Sequence, residues 1–336
     1  MNPKEGHVAR VRSTDVSANR EQPNAREEWF LRGRRVNGRL ASELLLRAQQ
    51  QRDARRQAIR ARQMFDAVGV LYSPALGLAG SGWTELGPSP LRSVTTTGDD
   101  QDYGFVTGRV TSVAVDQSDL TGNTVYIGAA YGGVWKSTNA ASPDVTRVIW
   151  TPMTDDQPTL AVGAISIDPS DHNVLLVGTG EANSSADSYY GLGILRSNDG
   201  GNSWTLIPAA NGGVRPFHGL AFAKIAFNSN IPNIVVAATA AASEGVMVGA
   251  EEPPNSVTDC ANPAALATCR GLYYSLDAGQ SWYQATMTDG AGAPDNESAS
   301  DVVYNAAEQK FYAWSRGHGI YTSLDGVTFT RAADQG

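Results

Sequence analysis

The most unusual segment of the chain runs from Gly178 to Gly191 and reads GTGEANSSADSYYG. Glu181, Asn183 and Asp187 place three oxygen-bearing side chains within seven residues. Such a set can hold a hard cation such as calcium. The same carboxylates can instead receive the hydroxyls of a glycan, with Tyr189 and Tyr190 as stacking surfaces. In a third reading the polar groups satisfy the turns of their own loop. The residue types leave all three open.

A second group of residues is defined by spacing. Ser197, Asp199, Gly201 and Trp204 fit the template S-x-D-x-G-x-x-W, and Ser275, Asp277, Gly279 and Trp282 fit it again. Serine and aspartate side chains accept hydrogen bonds from turn amides and fix a hairpin without sheet partners. Glycine supplies a positive φ, and tryptophan buries a large ring against a neighbouring element. Ser323, Asp325, Gly326 and Phe329 form a shortened copy, and Ser137 and Asn139 a degenerate one ahead of Trp150. Cys260 and Cys269, nine positions apart in a Pro/Ala/Asn-rich stretch, suit a local disulfide and hence an oxidising compartment. His7, His172, His218 and His318 are scattered and show no metal-ligand pattern.

The elements that must position these residues differ along the chain. Net charge is −8, but residues 1–68 hold 15 Lys/Arg against 8 Asp/Glu, leaving 11 against 26 for residues 69–336. Residues 1–24 read as disordered or extended, and 25–80 as an arginine-rich helical extension and linker. Its apolar stripe comprises Leu44, Ala48, Ala58, Ala61, Phe65 and Val68. That helix packs on the acidic body, or docks a partner through its charge. Aromatic interleaving for base stacking is missing and the larger part is acidic, so no nucleic-acid partner is expected. No apolar run approaches the roughly 18 residues of a membrane span, and the polar start MNPKEGHVAR shows no secretory signal. The cysteine pair nonetheless favours a secreted or periplasmic location.

From residue 81 to 336 the pattern turns to period-two strands with glycine-rich turns; the chain holds 35 glycines and only 18% charged residues. Four units repeat one order: a strand, a D/N turn, a Val/Tyr-rich strand, a G-[IVL]-[YWL] strand, and an aromatic residue opening a last strand. They begin at GRVTSVAVD, AVGAISIDP, FAKIAFNSN and DVVYNAAEQ. Units of about 50–60 residues with four strands each predict an all-β fold, a β-propeller of four-stranded blades behind the helical extension.

The S-x-D-x-G-x-x-W turn resembles the Asp-box (BNR) repeat of sialidases, sortilin-type receptors, xyloglucanase-type glycosidases and photosystem assembly factors. The resemblance covers residues 83–336 and implies the propeller; in that superfamily the Asp box is a turn brace lying away from the site. A sialidase needs an arginine cluster. Arg109, Arg196, Arg215, Arg270 and Arg316 can supply cations, but the usual Arg-Ile-Pro opening is replaced by Gly108-Arg109-Val110. FVTGRVTSVAVD and IGAAYGGVWKS resemble the opening blade of the xyloglucanase-type enzymes, in which a catalytic Asp precedes paired glycines. Tyr131 stands at that position, and a tyrosine does not replace a carboxylate at neutral pH. The reading is a noncatalytic, sortilin-like propeller that binds a glycan or protein ligand through one loop face, with no cofactor required. Ligand candidates are Glu181, Asn183, Asp187, Tyr189, Tyr190, Arg109 and Tyr131. A glycoside hydrolase using carboxylates in the propeller cavity is the alternative.

Two geometric expectations follow. Strand alternation puts the Glu181 loop on the face opposite the Asp-box turns. Trp83-Thr-Glu-Leu86 resembles the closing strand of a blade yet precedes every first strand, so the remaining strands of the propeller are expected C-terminal to residue 336 and the described blades to form an open arc.

Overall fold

The computed structural model describes residues 108–183, 188–242, 260, 262, 264–288 and 297–332. It adds strand pieces at 91–93 and 104–106 and helical positions at 47–48, 50–51 and 54. The helical extension and linker expected over 25–80 is thus described at only a few positions, all exposed, Ala48 of the apolar stripe among them. Trp83–Leu86, Asp187 and residues 243–259 lie outside the described residues.

Two short strands, β1 (Leu91–Ser93) and β2 (Gly104–Val106), pair antiparallel ahead of the repeats. The first blade consists of β3 (Val110–Val115), β4 (Val125–Ala129), β5 (Gly133–Ser137) and β6 (Thr151–Pro152). The second consists of β7 (Val162–Ile167), β8 (Leu175–Thr179), β9 (Ile194–Ser197) and β10 (Thr205–Ile207). A small hairpin of β11 (Ala209–Ala210) and β12 (Arg215–Pro216) leads to the third blade. That blade is built from β13 (Leu220–Phe227), β14 (Val235–Ala241), β15 (Gly271–Ser275) and β16 (Tyr283–Gln284). β17 (Thr286–Thr288) precedes the fourth blade of β18 (Ala299–Asn305), β19 (Lys310–Ser315), β20 (Gly319–Ser323) and β21 (Thr328–Arg331).

Each blade is an antiparallel meander in chain order, and β17 adds a fifth, parallel strand along β21. The first strands of successive blades pack together, β3 on β7, β7 on β13 and β13 on β18. Among the described residues no comparable packing joins β18 back to β3. The four blades form an open arc of an all-β propeller.

Alternation explains the packing. Tyr126 and Val134 of the first blade meet Val162, Ile165, Leu175, Val177 and Leu195 of the second. Leu176 and Ile194 turn the other way, onto Ile225, Phe227, Val235 and Tyr273. Val236 and Leu272 in turn face Val302, Phe311, Ala313 and Tyr321. β8 and β14, with a blade on either side, are buried along their whole length. Each large aliphatic side chain buried this way contributes about 1.5–3 kcal/mol. All four first strands also carry a bulge near their start, between Val110/Ser112, Val162/Ala164, Phe222/Lys224 and Ala299/Asp301. The bulge sharpens the local twist and re-aims the residues that precede it.

Candidate functional site

In a four-stranded meander the first and third hairpins share one end and the second lies at the other. The Asp199 turn joins β9 to β10, whereas the Glu181 loop joins β8 to β9, so the two stand on opposite faces.

The Ser-x-Asp turns hold themselves. Ser197 Oγ donates to Asp199 Oδ1 (2.8 Å) and accepts from Gly201 N (2.9 Å). Asp199 also accepts from Ser203 N (2.9 Å) and Ser203 Oγ (2.6 Å). Ser275, Asp277, Gly279 and Ser281 repeat these bonds at 2.5–2.8 Å, and Ser323 and Asp325 brace the fourth blade likewise. Hydrogen bonds from Ser203 hold the Asp199 carboxyl below its ordinary value of 3.8. Burial pushes Asp277 upward, but its bonds from Ser281, Ser275 and Gln280 together outweigh that and the net direction is down. The turns also stitch neighbouring blades. Lys136 Nζ and Tyr126 Oη both donate to Gly200 O (3.2 and 3.0 Å), and Arg196 Nε donates to Ala278 O (3.1 Å). Lys136 and Arg196 occupy the same place, one residue before the turn serine. Trp204 Nε1 reaches Met153 O of the preceding blade (2.9 Å), while Trp282 is buried between the second and third blades.

On the other face the neck of the Glu181 loop is clamped from both sides. Gly180 N donates to Ala161 O (2.8 Å) and Gly191 N to Leu220 O (2.6 Å), tying it to the residue before β7 and to the first residue of β13. Thr179 Oγ1 accepts from Leu192 N (2.9 Å) and Gly193 N (3.0 Å) and closes the base. Gly180 sits at φ +83°, and a Cβ there would meet Gly191 N at 2.5 Å. Inside this frame Glu181 N donates to Tyr189 O (2.8 Å), which ties the two sides of the loop together at its base.

Six of the seven ligand candidates converge here. Arg109, just before β3, donates from Nη2 to Glu181 Oε2 at 2.5 Å across 72 residues of sequence. Asn183 Nδ2 donates to Glu181 Oε1, also at 2.5 Å. Glu181 is 1% exposed, with both oxygens engaged. Tyr131, on the β4–β5 hairpin, meets Tyr189 edge-on (4.8 Å between centroids, 70°), and Tyr189 stacks on buried Tyr190 (4.4 Å, 25°). Tyr131 itself is 61% exposed. The result is an aromatic platform beside a half-exposed guanidinium oriented by a buried carboxylate. Asp187 is outside the described residues, so a Glu181/Asn183/Asp187 cation set has no described geometry. Among the described residues no group of three or more His, Cys, Asp or Glu is placed to hold a metal ion.

Two of the arginines read as carboxylate-binding cations are otherwise employed. Arg196 is in the stitch described above. Arg215 is buried, donating to Gln284 Oε1 (2.7 Å) and to the carbonyls of Ala265, Cys260 and Asn262. It organises the loop closed by the Cys260–Cys269 disulfide, whose Cα atoms are 5.7 Å apart. Sequence reasoning missed this role because nothing local to Arg215 signals a partner 50 residues away. It also missed a cavity of about 230 Å³ at the face of the Ser-x-Asp turns, lined by Asp116, Asp168, His172 and Lys224. Asp116 and Asp168 brace their own turns there, bonding Ser118 and Ser170.

No family model matches this sequence, and no curated protein matches it. Among solved structures, an ancestral GH74 enzyme aligns at 23% identity and a TM-score of 0.46, covering 68% of this chain and 24% of that one. The GH74 xyloglucanase from Xanthomonas campestris aligns at 15% identity and a TM-score of 0.32, over 65% of this chain and 36% of that one. YCF48 bound to D1 peptide aligns at 14% and 0.37, over 67% and 54%. This chain therefore spans between about a quarter and a half of those proteins. The likeness is one of fold, which the four sheets already carry.

Proposed function

We propose that the protein is a noncatalytic Asp-box propeller that binds carbohydrate through the loop face bearing Arg109, Tyr131, Glu181, Asn183 and Tyr189. The observation that supports this most is the exposed ring of Tyr131, braced edge-on by Tyr189 beside the Arg109 guanidinium. A fixed aromatic face next to hydrogen-bonding groups suits a sugar, whose C–H face stacks while its hydroxyls are bonded. Glu181, with both oxygens engaged, orients Arg109 and Asn183 rather than moving a proton. Tyr131 occupies the place where the xyloglucanase-type resemblance calls for an acid.

A glycoside hydrolase is the second reading, favoured by the presence of a buried carboxylate on this face. It requires a second carboxylate at about 5–5.5 or 6.5–9.5 Å, and Asp187 on the same loop is the candidate. The disulfide supports a secreted or periplasmic setting. No helix among the described residues is long and apolar enough to cross a membrane.

A glycan array probed with the intact protein tests the proposal. The expected outcome is a restricted set of bound glycans, weakened about tenfold by Tyr131→Ala, equivalent to about 1.4 kcal/mol, with no release of reducing ends. An empty array overturns the carbohydrate reading, and turnover of a bound glycan overturns the noncatalytic one.

A further inference from the structure

Arg215 is 1% exposed, yet the ion pairs among the described residues involve other arginines. Its guanidinium is met by neutral acceptors from three segments. They are Gln284 Oε1 of β16, the adjacent Val214 O, and the carbonyls of Cys260, Asn262 and Ala265 in the disulfide-closed loop. Arginine presents five N–H donors in a rigid planar fork and can hold that many acceptors at once, whereas lysine has three donors. A buried charge is tolerated only while its donors are satisfied. The loop from Cys260 to Cys269 brings little else to keep its shape, since its buried apolar cluster is Cys260, Ala267 and Cys269. The guanidinium therefore serves as the core of that loop, and loop and arginine hold each other in place.

From Arg215 the chain runs directly to the neck of the Glu181 loop. Ala267 N donates to Val214 O (3.1 Å), so the disulfide loop also grips the backbone just before the arginine. Phe217 is fully buried, edge-on to Tyr273 (5.0 Å between centroids), and Tyr273 Oη donates to Cys269 O (2.6 Å). Two residues further on, Gly219 N donates to Gly191 O (2.9 Å), and Gly191 N returns a bond to Leu220 O (2.6 Å). Beside this double bond Tyr190 and Leu192 pack on Ala221 and Ala242 of the third blade. The approach has no slack: a Cβ at Gly180 would meet Leu220 O at 2.8 Å and Ala221 Cα at 2.9 Å. Segment 215–219 is thus a strut, seated in the disulfide loop at one end and bonded to the ligand loop at the other. Every link lies within the second and third blades.

We infer that Arg215 is a positioning residue for the binding face: seated in the Cys260–Cys269 loop, it fixes the strut on which the Glu181 loop closes, and so holds Glu181, Tyr189 and Tyr190 in the arrangement that receives ligand. What the face receives rests on the carbohydrate reading; the positioning rests on the bonds of the strut alone. The disulfide acts in the same direction, because closing the loop keeps the carbonyls of Cys260, Asn262 and Ala265 gathered around the guanidinium. When the strut loosens, the bond from Gly180 N to Ala161 O still holds the other side of the neck. The ligand loop then opens more often without the second blade coming apart.

Amide hydrogen exchange of the intact protein, with no ligand added, tests this on three variants: Arg215→Met, Arg215→Lys and the Cys260→Ser/Cys269→Ser pair. Methionine leaves every carbonyl unpaired, lysine keeps the charge with fewer donors, and the serine pair keeps Arg215 but opens the loop. Circular dichroism first checks that the strands persist. Exchange at residues 189–192 is expected to quicken about tenfold in Arg215→Met and less in Arg215→Lys, a graded rescue by the conservative change. It also quickens in the serine pair, while the Asp199 turn of the same blade exchanges as before. Equal quickening of 189–192 and the Asp199 turn overturns the inference, since it shows a general loss of stability. Quickening confined to residues 260–269 overturns it too, as does loss of the strands in all three variants. The strongest-bound array glycan then reads the consequence, with affinity expected to weaken about tenfold in Arg215→Met. Unchanged affinity despite quickened exchange overturns the link to the binding face. An empty array removes the carbohydrate reading and leaves the exchange result to decide the positioning.

Discussion

At the scale of single residues, the described aspartates of the turns act as braces, a role that composition alone does not reveal. Asp199 and Asp277 brace turns, and their acidities record it: both carboxyls lie below the ordinary value of 3.8. A depressed folded-state pKa gives stability that is complete above the unfolded value and lost as pH falls through the folded one. Thermal melts between pH 5 and 2 are therefore expected to fall steeply below about pH 4. The Asp199→Asn/Asp277→Asn double variant starts lower and shows a shallower acid decline. An acid limb identical to that of the unaltered protein contradicts this account of the turns. The template was legible because donors and acceptors lie within four residues of each other. The Arg109–Glu181 pair was not legible as a pair, since its partners are 72 positions apart and meet only once blades stack. Both residues were nevertheless candidates, through the loop's composition and the GRV opening.

At the scale of the element, the blade is the unit that the sequence announces and the bulge is the unit it conceals. Alternation and turn residues mark the strands, whereas a bulge leaves no fixed residue signature. Gly163 lies at the bulge of β7, where a Cβ would meet Phe222 O at 2.0 Å and Gly180 O at 2.4 Å, both backbone atoms. Gly163→Ala is expected to force the second and third blades apart at the base of the Glu181 loop, costing about 1–3 kcal/mol. Urea unfolding measures the loss, and a change below about 0.5 kcal/mol contradicts the close approach. β17 was equally hidden: three residues of a linker pair in parallel with β21, a contact set by blade spacing rather than by local pattern. The stitching by Lys136 and Arg196 becomes visible only when units are superposed, because a basic residue before a serine means nothing alone.

At the scale of the whole molecule, strand alternation sorts the two faces of the arc by task. One face carries the self-bracing turns and their stitches, which rigidify the blades. The other gathers loops from the first and second blades around an aromatic platform. Binding residues fall disproportionately on loops held by a rigid scaffold, an arrangement that lets the turn face stay fixed while the loop face varies. The central claim is that ligand meets the Arg109–Tyr131–Glu181 face and leaves the Ser-x-Asp face untouched. Amide hydrogen exchange of the intact protein, with and without the strongest-bound array glycan, tests it most directly. The account predicts slowed exchange in peptides covering Arg109, Tyr131 and Glu181, and unchanged exchange in those covering Asp199 and Asp277. Slowing confined to the Asp199 and Asp277 peptides would contradict it.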